Sequence, residues 1–236
     1  MIFKEGGIST LEEVLENRPE GKDNFFFAFS SSWQTEVLLK YNSILFLDLT
    51  HNTCISLEDH NRKGFLYTMI VKHDIAGYGI PVAFIVTNSE TQRTLARWLA
   101  WLKQTLLLPS SIILMIDCSA AEMAAIETVF GYPQIYLCHW HILRAMRTQI
   151  SKDISIPVSD CRTSTSQSRN DITKQIRKSA MDDFLQLIHS GSATEFGRIR
   201  ENYVAGYSQY KDWMCYMSFK WLKHAEKWWS GNRIAS

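Results

Sequence analysis

No apolar run in the sequence approaches the roughly 18 residues that a membrane-spanning helix needs, and the opening Met1-Ile2-Phe3-Lys4-Glu5 has no signal-peptide core. A secreted or membrane protein is therefore not expected. An excess of charge of one sign is missing too: 25 Lys and Arg stand against 24 Asp and Glu, a net charge of +1. The chain as a whole is no polycation, so any affinity for nucleic acid has to come from a local patch. Cysteine is scarce, and its five residues are odd in number and dispersed. That argues against a disulfide framework and for a reducing, intracellular compartment. No internal repeat is visible. What is abundant is core-forming material. With 46% hydrophobic and 12% aromatic residues against 21% charged, the composition is that of a folded chain, and 236 residues suffice for one or two domains.

Short apolar runs in the first half predict strands: Phe25–Ser30, Ile44–Thr50, Phe65–Lys72 and Ile80–Thr87. The last two are separated by Asp74-Ile75-Ala76-Gly77-Tyr78-Gly79, whose glycines suit a hairpin, so an antiparallel meander is expected. A helix follows. Asn88 or Ser89 can cap it, Ser89 and Gln92 have capping-box spacing, and Leu95, Trp98, Leu99, Leu102 and Leu106 recur at the helical period up to Pro109. Ile112–Asp117 reads as a strand. Ser119 then caps a short helix bearing Met123, Ile126 and Val129, ended by Gly131 and Pro133. Gln134–Leu137 is a last short strand, and Cys138–Ile150 reads as a helix. A meander followed by strand–helix alternation predicts an α/β fold, a mixed sheet with flanking helices.

Beyond Ser151 the character changes. Ser155–Asn170 is polar, rich in Ser and Thr and interrupted by Pro157, which marks a linker. Asp171–His189, Thr194–Val204 and the aromatic-rich Tyr207–Trp229 then read as helices. The expected plan is a lead-in over 1–24, a core over 25–150, a polar linker over 151–170 and an all-helical region over 171–236.

Two aspartates stand out because each closes an apolar strand: Asp48 in Leu-Phe-Leu-Asp-Leu-Thr and Asp117 in Leu-Met-Ile-Asp-Cys-Ser. A carboxylate there is costly to desolvate unless it is paired, hydrogen-bonded or bound to a cation. Carboxylates converging beyond strand ends suit a hard cation such as Mg²⁺, and two such ions about 3.5–4 Å apart serve displacement at phosphorus. The plainer alternative is that each Asp caps the turn or helix after it. Cys138 and His141, in Cys138-His139-Trp140-His141, have metal-ligand spacing at a helix start, but no second Cys/His pair at finger spacing accompanies them. Packing is preferred to a closed zinc site, and zinc is not expected. Arg144, Arg147, Lys152, Arg162, Arg169, Lys174, Arg177 and Lys178 suit phosphate contacts, although interspersed acids favour a solvated helix face. The terminal aromatics fit helix packing better than base stacking.

The ordered series of these features resembles the transposase domain of Mutator-like elements, within the RNase H-like superfamily. The resemblance covers about residues 25–146. It runs through Leu47-Asp48-Leu49-Thr50, Gly79-Ile80-Pro81-Val82-Ala83, Ile116-Asp117-Cys118-Ser119 and Leu137-Cys138-His139-Trp140-His141-Ile142-Leu143-Arg144. It implies an RNase H-like mixed sheet, Asp48 and Asp117 as the first two acids of a three-carboxylate site for two Mg²⁺ or Mn²⁺ ions, and Cys138 with His141 as the family's Cys-x-x-His motif. It also implies cleavage and transfer of DNA strands, transposon ends as partner, nuclear localisation and room for a homo-oligomer. The helical region would be the insertion that precedes the third acid, a Glu. Glu195, Glu201 and Glu226 are present without that acid's expected neighbours, so the chain is expected to be a truncated copy inactive in strand transfer. The competing expectation is a non-catalytic DNA- or protein-interaction module derived from a transposase.

Overall fold

The computed structural model describes residues 26–55, 63–73, 77–106, 108–109, 111–131, 133–156 and 166–231. The expected lead-in over 1–24 lies outside the described residues, as do 157–165 of the expected linker, Arg162 among them. In chain order the elements are β1 (Phe26–Phe29), α1 (Ser32–Lys40), β2 (Ile44–Ile55), β3 (Lys63–Lys72), β4 (Gly79–Thr87), α2 (Gln92–Thr105), β5 (Ile113–Ile116), α3 (Ala120–Phe130), β6 (Gln134–Leu137), α4 (His139–Asp153), α5 (Ser166–His189), α6 (Ala193–Tyr207) and α7 (Lys211–Tyr216). A π-helical stretch over Met217–Trp221 and a 3-10 stretch over Leu222–Lys227 complete the series. No helix among the described residues is long and apolar enough to cross a membrane.

The strands form one mixed sheet in the order β1-β4-β3-β2-β5-β6. The expected meander is present: β2 pairs antiparallel with β3, and β3 with β4. β5 then joins the other side of β2 in parallel. β2 therefore lies inside the sheet, and its alternate residues Leu45 and Leu47 are buried along with Met69 and Val71 of β3 and Leu114 and Ile116 of β5. Each such side chain contributes roughly 1.5–3 kcal/mol relative to exposure. β1 adds to the outer edge of β4, where Phe29 lies opposite Phe84 with ring centroids 4.8 Å apart.

The helix α1 was not foreseen, though its start carries a full capping box. Ser31 Oγ accepts from the Gln34 N–H at 3.2 Å, and Gln34 Oε1 accepts from the Ser31 N–H at 2.9 Å. The expected caps of α2 are corrected: its N-cap is Thr91, whose side chain accepts from the Thr94 N–H. Ser89 is held back in the turn leaving β4, because its N–H donates to Thr87 Oγ1 at 3.1 Å. α2 buries Leu95, Trp98, Leu99 and Leu102, as its periodicity predicts. At the end of α3, Gly131 has φ +83°, a conformation that L side chains rarely adopt, although a Cβ there would meet nothing within 4 Å. Gly131→Ala should therefore destabilise the fold by about 1–3 kcal/mol through backbone strain alone, read as a lower urea midpoint.

The chain divides into two compact units, one ending at Tyr136 and one beginning at Leu137. The division falls earlier than the expected boundary near 150, so α4 belongs with the helical half. Helix α5 likewise begins at Ser166, inside the stretch expected to be linker. The single helix expected over Tyr207–Trp229 is also corrected, since it breaks into α7, the π stretch and the 3-10 stretch. Trp213, Met217 and Trp221 are all buried and recur every four residues. Four-residue steps precess around an α-helix of about 3.6 residues per turn, and the wider π turn holds them in line. After a kink at His224, Trp228 is fully buried against Phe184 and Phe196, with centroids 5.3 and 5.8 Å away. Its indole N–H donates to the Trp221 carbonyl at 2.9 Å. Of the terminal aromatics, Tyr207, Trp213, Trp221 and Trp228 are core, Tyr210, Tyr216 and Trp229 are half-buried, and Phe219 is 75% exposed.

Candidate metal centre

The parallel seam between β2 and β5 positions the two aspartates. Ile44 lies opposite Ile113, Leu45 opposite Leu114 and Phe46 opposite Met115. Two residues further along the same register, Asp48 falls level with Asp117. Asp48 is an even step from Phe46 within β2, so its carboxylate projects from the face opposite Leu45. Both residues are half-buried. Asp117 is the first residue beyond the carboxyl end of β5, the part of a parallel pair where ligand sites collect.

A third carboxylate joins them from α3. Ser119 is the N-cap, and its Oγ accepts from the Glu122 N–H at 3.3 Å. The Glu122 carboxyl reaches back and accepts a hydrogen bond from the backbone N–H of Asp117. Glu122 is only 2% exposed, and its Oε2 is buried without a hydrogen-bond partner. Burial first, and then the charges of Asp117, Asp48 and Glu90, push its pKa from 4.5 up to about 8. Glu122 therefore holds its proton at neutral pH. Glu90, exposed at the approach to α2, adds to the same negative field, and burial together with Glu122 and Glu90 pushes the Tyr67 phenol upward.

Oxygen donors such as Asp48 and Asp117 are the kind that a hard divalent cation takes. Among the described residues, no three His, Cys, Asp or Glu side chains are already gathered to hold a metal. Sequence reasoning passed over Glu122 because it placed the apolar stripe of α3 on Met123, Ile126 and Val129. The buried face is instead Glu122, Ala125, Ile126 and Phe130. A charged residue in register with Ala125, Ile126 and Phe130 was the available signal.

Cys138 and His141 lie where expected, at the passage from the edge strand β6 into α4, of which Cys138 is the N-cap without a side-chain capping bond. The His141 ring meets Trp140 edge-on at 4.7 Å, and the Arg144 guanidinium stacks over the exposed Trp140 at 5.4 Å. His139 Nε2–H donates to the Trp228 carbonyl at 2.6 Å, tying the first turn of α4 to the aromatic core of its own unit. Arg177 caps the end of α4, donating to the Ile154 carbonyl at 2.8 Å and to that of Ser151 at 2.6 Å. Lys178 pairs with Asp182 at 2.9 Å on the surface, an arrangement worth at most about 1 kcal/mol. Glu195, Glu201 and Glu226 are all exposed. Glu195 serves the start of α6, accepting from the Gly191 N–H at 2.8 Å. No protein-family model matches this chain, and no curated protein matches it either.

Proposed function

We propose that the unit ending at Tyr136 is an RNase H-like domain of the Mutator-like transposase type, whose Asp48 and Asp117 bind Mg²⁺ or Mn²⁺. The observation that supports this reading is the parallel register of β2 and β5, which, continued two residues past its last pair, brings Asp48 level with Asp117. The antiparallel meander continued by a parallel strand is the kind of mixed sheet that the resemblance implies. A bound divalent cation supplies charge neutralisation at a phosphodiester. The chain's own part is to hold that ion through Asp48 and Asp117 and to present it at the strand ends. DNA is the proposed partner, by the resemblance alone. The exposed positions of Glu195, Glu201 and Glu226 favour the non-catalytic alternative, in which the ion is bound and DNA strands are left intact.

Thermal unfolding with and without Mn²⁺, the more permissive ion, tests the reading. A ligand that binds only the folded state raises the midpoint. The increment should appear in the wild type and vanish in Asp48→Asn combined with Asp117→Asn. No increment, or an equal one in the double variant, overturns the proposal. Incubation with labelled DNA and Mn²⁺ separates the two forms of it. Intact DNA is expected, and cleavage lost in both Asp48→Ala and Asp117→Ala would establish the catalytic form.

A further inference from the structure

Between α2 and α3 runs a groove of about 910 Å³. At about 100° per residue, Arg93, Ala96, Arg97 and Ala100 fall on one arc of α2, beside the arc of Leu95, Trp98, Leu99 and Leu102 that packs into the core. α2 thus has a second continuous face. Two bridges fix it against α3: Gln92 Nε2 donates to Thr128 Oγ1 at 3.1 Å, and Lys103 Nζ donates to the Val129 carbonyl at 2.7 Å. The groove is therefore preformed. Half-buried Ala96, Ala100 and Val129 line it together with Arg93 and Arg97. α2 holds Arg93, Arg97 and Lys103 and no acid, in a chain whose charges otherwise balance, and no acidic side chain lines the groove among the described residues. Local structure opposes this placement. Arg93 stands in the first turn, against the positive end of the helix, and Arg97 one turn on, where like charges repel. Burial, and then Arg93, lower the Arg97 pKa. Cations kept where the helix itself disfavours them, along a groove with an apolar lining, point to an anionic ligand.

We propose that the groove between α2 and α3 docks an acidic amphipathic segment of a partner protein, its carboxylates on Arg93 and Arg97 and its apolar side chains on Ala96, Ala100 and Val129. Paired guanidinium–carboxylate hydrogen bonds set the register, and the apolar contacts add area. From Arg93 to Lys103 the helix axis covers about 15 Å, enough for about ten residues of a docked helix. A nucleic-acid backbone would answer the charge but leave the apolar lining without a partner, so a protein fits the groove better. The inference does not rest on the proposed cation site, because Asp48 and Asp117 take no part in the groove.

Selection from a random displayed peptide library against the whole chain tests this, the enriched peptides then being labelled and titrated by fluorescence anisotropy. Enriched sequences should combine Asp and Glu with interspersed apolar residues, and their affinity should fall as salt rises. No enrichment, or enrichment without an acidic excess, overturns the proposal. Arg93→Glu combined with Arg97→Glu should weaken the selected peptide at least about tenfold, since like charges then face one another. The same peptide with its acids replaced by Lys should bind this variant better than it binds the wild type, a rescue that mere loss of structure does not produce. Equal affinity of the two proteins for the acidic peptide, or no rescue, overturns the proposal. A measurement on the wild type does not depend on whether the variant folds: in methyl spectra, the acidic peptide should shift Ala96, Ala100 and Val129. Shifts confined to other methyls refute the assignment. A labelled DNA duplex that displaces the peptide and shifts these same methyls would give the groove to nucleic acid, and the protein partner would be wrong.

Discussion

Glu122→Gln should abolish most of a pH dependence of stability that the wild type shows between about pH 4.5 and about 8. In the folded chain the Glu122 carboxyl keeps its proton up to about 8, whereas in the unfolded chain it releases it near 4.5. The folded state therefore binds the extra proton throughout this window, and wild-type stability falls as the pH rises through it. The contribution is complete below 4.5, is lost progressively and levels off above 8. At about 1.36 kcal/mol per pH unit, the full loss is on the order of 4–5 kcal/mol. Glutamine does not ionise, so the variant should overtake the wild type on the alkaline side and match it on the acid side. Urea unfolding of both proteins at a series of pH values gives the difference directly. A difference that stays constant with pH would show that Glu122 ionises as freely in the folded chain as in the unfolded one.

Trp228→Ala should destabilise the helical unit by about 3–5 kcal/mol, the usual cost of deleting a fully buried indole. The side chain fills the space between Phe184 and Phe196 and donates to the Trp221 carbonyl, so its removal leaves a cavity and an unpaired acceptor together. The same residue's carbonyl receives His139, and displacement of the backbone would release the first turn of α4 as well. Amide hydrogen exchange should show lost protection in α5 and α6. Phe219→Ala is the control. It removes a ring that is 75% exposed, and a change within about 0.5 kcal/mol is expected. Equal losses from the two variants would mean that Trp228 is not the centre of that core.

The readings that succeeded rested on features a short window contains. Ile44–Thr50 and Ile112–Asp117 announce strands by composition, and the acid at the end of each announces a site before any pairing is known. The stripe of Leu95, Trp98, Leu99 and Leu102 likewise needs only the helical period. What failed depended on partners distant in sequence. Whether Glu122 or Met123 faces inward on α3 is decided by a rotation of a single residue about the helix, and only the packed neighbours choose it. The break at Met217–Trp221 follows from the demand that Trp213, Met217, Trp221 and Trp228 share one core, a demand that no local propensity expresses. Helix α1 is different. Ser31 and Gln34 carried its signal in plain spacing, and the short, weakly amphipathic segment that follows them hid it.

The parallel seam between β2 and β5 has a consequence for the order in which the molecule assembles. β2, β3 and β4 follow one another along the chain and pair with their immediate successors. β5 reaches β2 only after two further strands and a helix have intervened, so its loop closure costs more entropy than either antiparallel pairing. That late step is also the one that brings Asp117 to Asp48 and carries Glu122 in behind them. The seam thus closes against its own electrostatic repulsion and at the greatest separation in sequence, with no local gain to offset either. The apolar pairs Leu45–Leu114 and Phe46–Met115 lie along the seam that this closure completes.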